Sequence, residues 1–193
     1  MTATALVMEL GLLAEKVQDQ ATNENSPNRG KSFLDEASQG MTLDQLTNQA
    51  AQMRRELIAV TKTLPDAAFE PQSVDAGGNE VWSAGEIVTH CNFVLMRFAE
   101  RGAALAGMET PTWSDELTAS GEQRVLDKAS AIAAAELVDH DDWFATIPAD
   151  VDLENSDTSP ALGKVSPRVW LHFMAVHEAN HVEQLEELRA AHS

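Results

Sequence analysis

The sequence predicts an all-α protein, a four-helix bundle preceded by an extra N-terminal helical or flexible arm. Three observations carry that expectation. Apolar residues make up 44% of the chain but aromatics only 5%, with no Tyr, and Ala and Leu are prominent. That balance suits packed helices better than strands, which favour β-branched and aromatic residues. Apolar residues recur at spacings of three and four along several long segments, the period of an amphipathic helix. Strong helix-start signals stand in front of three of those segments: Thr42…Gln45, Ser83…Glu86 and Ser166-Pro167.

Residues 3–20 place Leu6, Leu10, Leu13 and Val17 at helical spacing, which predicts a short amphipathic helix. From Gln20 to Gly40 the chain is rich in Asn, Ser, Gln, Gly and Pro and reads as a connector. Residues 1–40 are therefore expected to be an arm, either a packed extra helix or a partly disordered segment, and residues 41–193 the bundle. Thr42-Leu-Asp-Gln45 is a capping-box pattern, in which the Thr and Gln side chains satisfy each other's backbone donors. Leu43, Leu46, Ala50, Met53, Leu57, Val60 and Leu64 follow as one stripe that stops before Pro65. Ser83…Glu86 opens a second helix carrying Ile87, His90, Val94, Phe98 and Leu105. A third is expected from Ser120 to about Val138, through Val125, Ile132 and Leu137. Residues 139–165 show no periodicity and read as a long irregular connection, the kind of loop that is often functional. Ser166 as N-cap and Pro167 at the first helical position start the last helix. Its stripe runs through Trp170, Phe173, Met174, His177, His181, Leu185 and Leu188.

The formal charge is −18, from 31 acidic and 13 basic residues. Such a surface repels phosphate backbones, so no nucleic-acid partner is expected. No apolar run is long enough to span a bilayer, so no membrane partner is expected either. The first residues lack the basic flank and cleavage site of a signal peptide. A single cysteine, Cys91, excludes an intramolecular disulfide and agrees with a cytoplasmic location.

Within this frame the histidines carry the chemistry. His177 and His181 lie four residues apart, so in a helix both rings project from one face, one turn apart. Two imidazoles at that spacing can grip one divalent metal ion, and a third ligand would hold it firmly. His90, on the inward face with Ile87 and Val94, supplies a third imidazole from a neighbouring helix, which is how bundles build metal sites. His172 points about 140° away from His177, His140 lies in an acidic run and His192 at the chain's end; all three read as surface residues. Cys91 points away from His90 and reads as a small core residue, and Trp82 as a structural staple or lid. Glu86 and Glu178 are candidates to orient a ligand imidazole, with exposed helix-face acids as the alternative. His177-Glu-Ala-Asn-His181 also matches the H-E-x-x-H pattern of zinc peptidases. Only 12 residues follow it, however, and Gln184 and Glu187 stand where the metzincin continuation needs Gly and His.

Trp82-Ser-x-x-Glu-Ile-x-x-His90, followed by His177-x-x-x-His181-x-x-Gln184-Leu185, resembles the DinB/YfiT-like superfamily over residues 42–190. The resemblance implies a four-helix bundle in which His90, His177 and His181 hold a divalent ion, commonly zinc or nickel. It gives Gln184 and Leu185 packing or ligand-supporting roles. It further implies a metal-dependent enzyme of the kind that transfers a low-molecular-weight thiol such as mycothiol, bacillithiol or glutathione to an electrophilic substrate. The alternatives are a hydrolase using metal-bound hydroxide at the same site, a non-catalytic metal-binding bundle, for instance a homodimer, a metal-free bundle with a polar core, and, more remotely, an H-E-x-x-H metallopeptidase.

Overall fold

The computed structural model describes residues 2–26, 32–72, 81–122, 124–138 and 143–193. Helix α1 spans Ala3–Thr22, α2 Phe33–Ser38, α3 Leu43–Thr63, α4 Ala84–Leu105, α5 Asp115–Ser120, α6 Lys128–Glu136 and α7 Pro167–Ala191. A 3-10 turn, Asp66–Phe69, follows α3, and a hairpin of β1 (Asp157–Ser159) and β2 (Gly163–Val165) precedes α7. The strands are antiparallel, with Thr158 opposite Lys164, and Gly163 takes a φ of 72° that favours glycine at the turn. No described helix is long and apolar enough to cross a membrane.

All three start signals operate as the sequence implies. Thr42 and Gln45 form a reciprocal capping box at α3, and Ser83 and Glu86 do the same at α4. Ser166 accepts from the Val169 N–H, with Pro167 in the first turn of α7. Each cap fixes where its helix begins, and with it the rotational register of every side chain downstream.

Helix α7 is the axis of the molecule, touching α1, α2, α3, α4 and β2. Helices α3, α4, α6 and α7 make the bundle, and α1 lies along α7. Leu6, Leu10 and Val17 of α1 join Leu46 and Met53 of α3 and Val169 and Met174 of α7 in one core. Leu57, Ile87, Val88, Ala131 and Leu185 belong to a second, where α3, α4, α6 and α7 meet. A polar network crosses that end of the bundle. Buried Arg54 donates to Asn92 Oδ1 at 2.9 Å and forms an ion pair with buried Glu178. Asn92 Nδ2 in turn donates to Ser120 Oγ at 2.9 Å and to the Ala134 carbonyl at 2.8 Å. One Arg and one Asn thereby tie α3, α4, α5, α6 and α7 together.

The structure corrects the expected third helix. The segment is broken into α5 and α6, and Val125 and Leu137, read as stripe residues, are 43% and 38% exposed. Asp127 restarts the helix by accepting from the Ser130 N–H at 3.0 Å, and Lys128 Nζ reaches the Leu64 carbonyl at the end of α3. The chain before it runs so close to α4 that a Cβ on Gly85 would stand 2.4 Å from the Leu126 nitrogen. His172 is also not at the surface: it is 3% exposed, because α7 is enclosed on faces that a plain four-helix bundle would leave to solvent. His192 is half-buried and meets Gln72 Oε1 at 3.1 Å. His140 lies outside the described residues.

Candidate metal centre

His90 sits two turns into α4, and His177 and His181 occupy the middle of α7. The capped starts of those two helices turn all three rings toward one point. His90 Nε2 lies 3.2 Å from His177 Nε2, and His181 Nε2 lies 3.2 Å from the same atom. Without an ion this meeting is poorly satisfied. A neutral imidazole carries one N–H, so two close contacts on His177 Nε2 cannot both be good linear hydrogen bonds. A divalent ion would relieve the conflict by taking up imidazole lone pairs. Metal–nitrogen bonds of about 2.05 Å meeting at about 100° would place two nitrogens about 3.1 Å apart, close to the 3.2 Å separations of His90 and His181 from His177. The three candidate ligand atoms all lie within 4.8 Å of one another, a cluster compatible with a metal ion.

The tautomers favour the same use. Gln184 Oε1 accepts from His181 Nδ1 at 2.9 Å, which puts the ring hydrogen on Nδ1 and leaves Nε2 as a lone pair facing the centre. Gln184 thus fixes the tautomer of His181. Burial lowers the pKa of all three rings. His181 falls to about 4, with the neighbouring His90 adding to the effect, and His177 falls well below its ordinary 6.5, with His181, His90 and Arg54 contributing after burial. The rings are therefore neutral at pH 7, the state a metal ligand requires.

The two carboxylates named as ligand-orienting candidates are engaged elsewhere. Glu86 Oε2 accepts from the Ser83 N–H at 2.9 Å and the Ser83 hydroxyl at 2.8 Å, closing the capping box. Glu178 is buried against Arg54. Cys91 is a fully buried core residue, as its spacing implies, and burial pushes its thiol pKa up, so it offers no thiolate. Trp82 is more than a staple. Its ring lies 4.8 Å from His90 and stacks at 6.3 Å over His181, while Phe98 and Phe173 present their edges to His177. Sequence reading missed that Trp82 walls the centre, although its place one residue before the cap of the His90 helix was the available signal. The three imidazoles open onto a cavity of about 750 Å³, whose opposite wall is α1.

Residues 35–185 match the family model of the DinB superfamily. The chain belongs to that superfamily. No curated protein and no solved structure is significantly similar to it. The DinB-superfamily match covers the bundle and both histidine-bearing helices, and it begins after α1. Membership and the three-histidine cluster are together compatible with metal binding.

Proposed function

We propose that His90, His177 and His181 hold one divalent ion, zinc or nickel, and that the protein is a metal-dependent thiol S-transferase. The observation that carries this reading is the convergence of three neutral imidazoles on one side of a large open cavity. Three protein ligands are the donor set of catalytic rather than structural zinc, which keeps a position for water or substrate. When bound, such an ion supplies a Lewis acid that lowers the pKa of a thiol and so raises its nucleophilicity at neutral pH. The chain's own residues do the rest. Gln184 fixes the His181 tautomer, Trp82 and Phe173 exclude water from one flank, and the cavity gives room for both a thiol and an electrophile. In the transfer a C–S bond forms at the electrophilic carbon, the thiol proton passes to water, and the leaving group departs with its electron pair.

Elemental analysis of the tag-free protein tests the first half. About one zinc or nickel per chain is expected, lost in His90→Ala and in His181→Ala while helix content stays; unchanged occupancy in either variant defeats the ligand assignment. The second half is tested by turnover of small thiols with electrophiles by the loaded protein. Full occupancy without thiol consumption would instead favour a bundle in which the metal is structural.

A further inference from the structure

Between its two histidines α7 reads His177-Glu-Ala-Asn-His181, and the helix sends the two polar residues of that stretch to different places. Glu178 and Asn180 are separated by about 200° around the axis, so they lie on nearly opposite faces. Glu178 is buried in the core against Arg54. Asn180 is half-buried and lines the cavity beside the three imidazoles. It belongs to one stripe with Phe173, His177, Gln184 and Glu187, which line the same cavity. On that stripe Gln184 already gives its amide oxygen to His181 Nδ1 at 2.9 Å. No described residue hydrogen-bonds the amide of Asn180. Residues three apart on a helix surface have Cβ atoms about 5–6 Å apart, so Asn180 stands one turn beyond His177 and directly before His181. Gln18 and Thr22, by contrast, belong to α1 across the cavity. A primary amide has two N–H donors and an acceptor oxygen and does not titrate, so it can hold a substrate oxygen but cannot take a proton.

We propose that Asn180 anchors the electrophilic substrate, donating to an oxygen atom on which negative charge develops as sulfur attacks the neighbouring carbon. The inference rests on the thiol-transfer reading above and names the class of second substrate: electrophiles whose leaving atom is oxygen, such as epoxides, rather than halides. In the opening of an epoxide the C–S bond forms at one ring carbon as its C–O bond breaks. The electron pair passes to the oxygen, and the proton given up by the thiol returns to that oxygen through water. The Asn180 N–H holds the oxygen while its charge develops, and a fixed donor inside a cavity acts there more strongly than solvent does. Val17, Val81 and Leu188 line the same cavity and give apolar surface to the carbon skeleton.

The test has a binding arm and a turnover arm, both with the full-length, zinc-loaded protein. Binding of acetophenone, which offers an acceptor oxygen, and of ethylbenzene, its oxygen-free counterpart, is followed by ligand-observed NMR. Asn180→Ala should weaken acetophenone about 3–10-fold and leave ethylbenzene within about twofold. Asn180→Asp keeps the shape but removes both N–H donors. It should weaken acetophenone at least as much, whereas a residue that only filled space would tolerate it. Zinc stoichiometry and helix content should stay unchanged in both variants. In the turnover arm, 2-mercaptoethanol is offered styrene oxide or benzyl chloride. Asn180→Ala should lower kcat/KM about tenfold or more for styrene oxide and less than about twofold for benzyl chloride. Equal losses within either pair, no loss, or no saturable binding of acetophenone to the parent would overturn the inference while leaving thiol transfer standing. If the parent consumes neither electrophile, the thiol reading itself fails and takes this inference with it.

Discussion

His172 gives the sharpest stability prediction. It lies on α7, 3% exposed, and neither ring nitrogen has a hydrogen-bond partner. Burial pushes its pKa from 6.5 down to about 4. Since the folded-state value is depressed for a base, the unfolded chain binds more protons between the two values. Stability is therefore complete above about pH 6.5, falls as pH drops through the window, and levels off below about pH 4. At about 1.4 kcal/mol per pH unit, the depression from 6.5 to about 4 amounts to about 3 kcal/mol in full, and about 2 kcal/mol is already lost at pH 5. His172→Leu removes both the titration and two unpartnered buried nitrogens, each of which costs about 1–3 kcal/mol. It should match or exceed the parent at pH 7.5 and gain a further 2 kcal/mol or so at pH 5. The assay is urea unfolding followed by far-ultraviolet circular dichroism, at several pH values. Both chains should carry His90→Ala, His177→Ala and His181→Ala, so that neither metal release nor the other buried imidazoles contribute. Stability–pH curves that run parallel for parent and variant would refute the reasoning.

Arg54→Met should destabilise the protein by about 3–5 kcal/mol, because it strands the buried Glu178 carboxylate, and the double variant Arg54→Met/Glu178→Met should recover much of that loss in denaturant titrations. Gly85→Ala should cost about 1–3 kcal/mol, since its Cβ meets Leu126 backbone, whereas Gly11→Ala meets only the mobile carboxylate of Glu183 and should stay within about 1 kcal/mol of the parent; thermal melts of the two variants distinguish these outcomes. Gln184→Leu should keep the fold but weaken metal affinity about 10–100-fold, measured by competition with a chromophoric chelator, because His181 loses the acceptor that fixes its tautomer.

What was legible in the sequence was what local chemistry specifies. Thr42, Ser83 and Ser166 announce their helices through caps that need only neighbours three residues away, and the i, i+4 spacing of His177 and His181 needs only a helix. His90 joins them because its cap sets the register of α4. The third helix misled because Val125, Ile132 and Leu137 imitate a stripe, although Asp127 begins a new helix and two of the three face solvent. Strands of three residues are too short to display a period of two, so the hairpin left no trace. The burial of His172 and the approach of α1 to the three-histidine cluster depend on elements distant in sequence, and no periodicity encodes them.

Glu178 shows how the same letters acquire a different role from their partner. In an H-E-x-x-H peptidase the glutamate between the ligands faces the metal and serves as general base. Here its carboxylate lies in the core, ion-paired with Arg54, whose guanidinium also donates to Asn92 at 2.9 Å. To act at the metal, Glu178 would have to leave Arg54 and strand a buried guanidinium, at a cost of about 3–5 kcal/mol. That penalty would recur in every catalytic cycle, so evolution of a peptidase on this chain would first have to replace Arg54. The network instead anchors α7 one residue beyond His177, fixing the pitch at which the two α7 imidazoles meet His90. Glu178→Gln should consequently lower metal affinity and stability together, whereas loss of a general base would leave both intact and abolish only turnover.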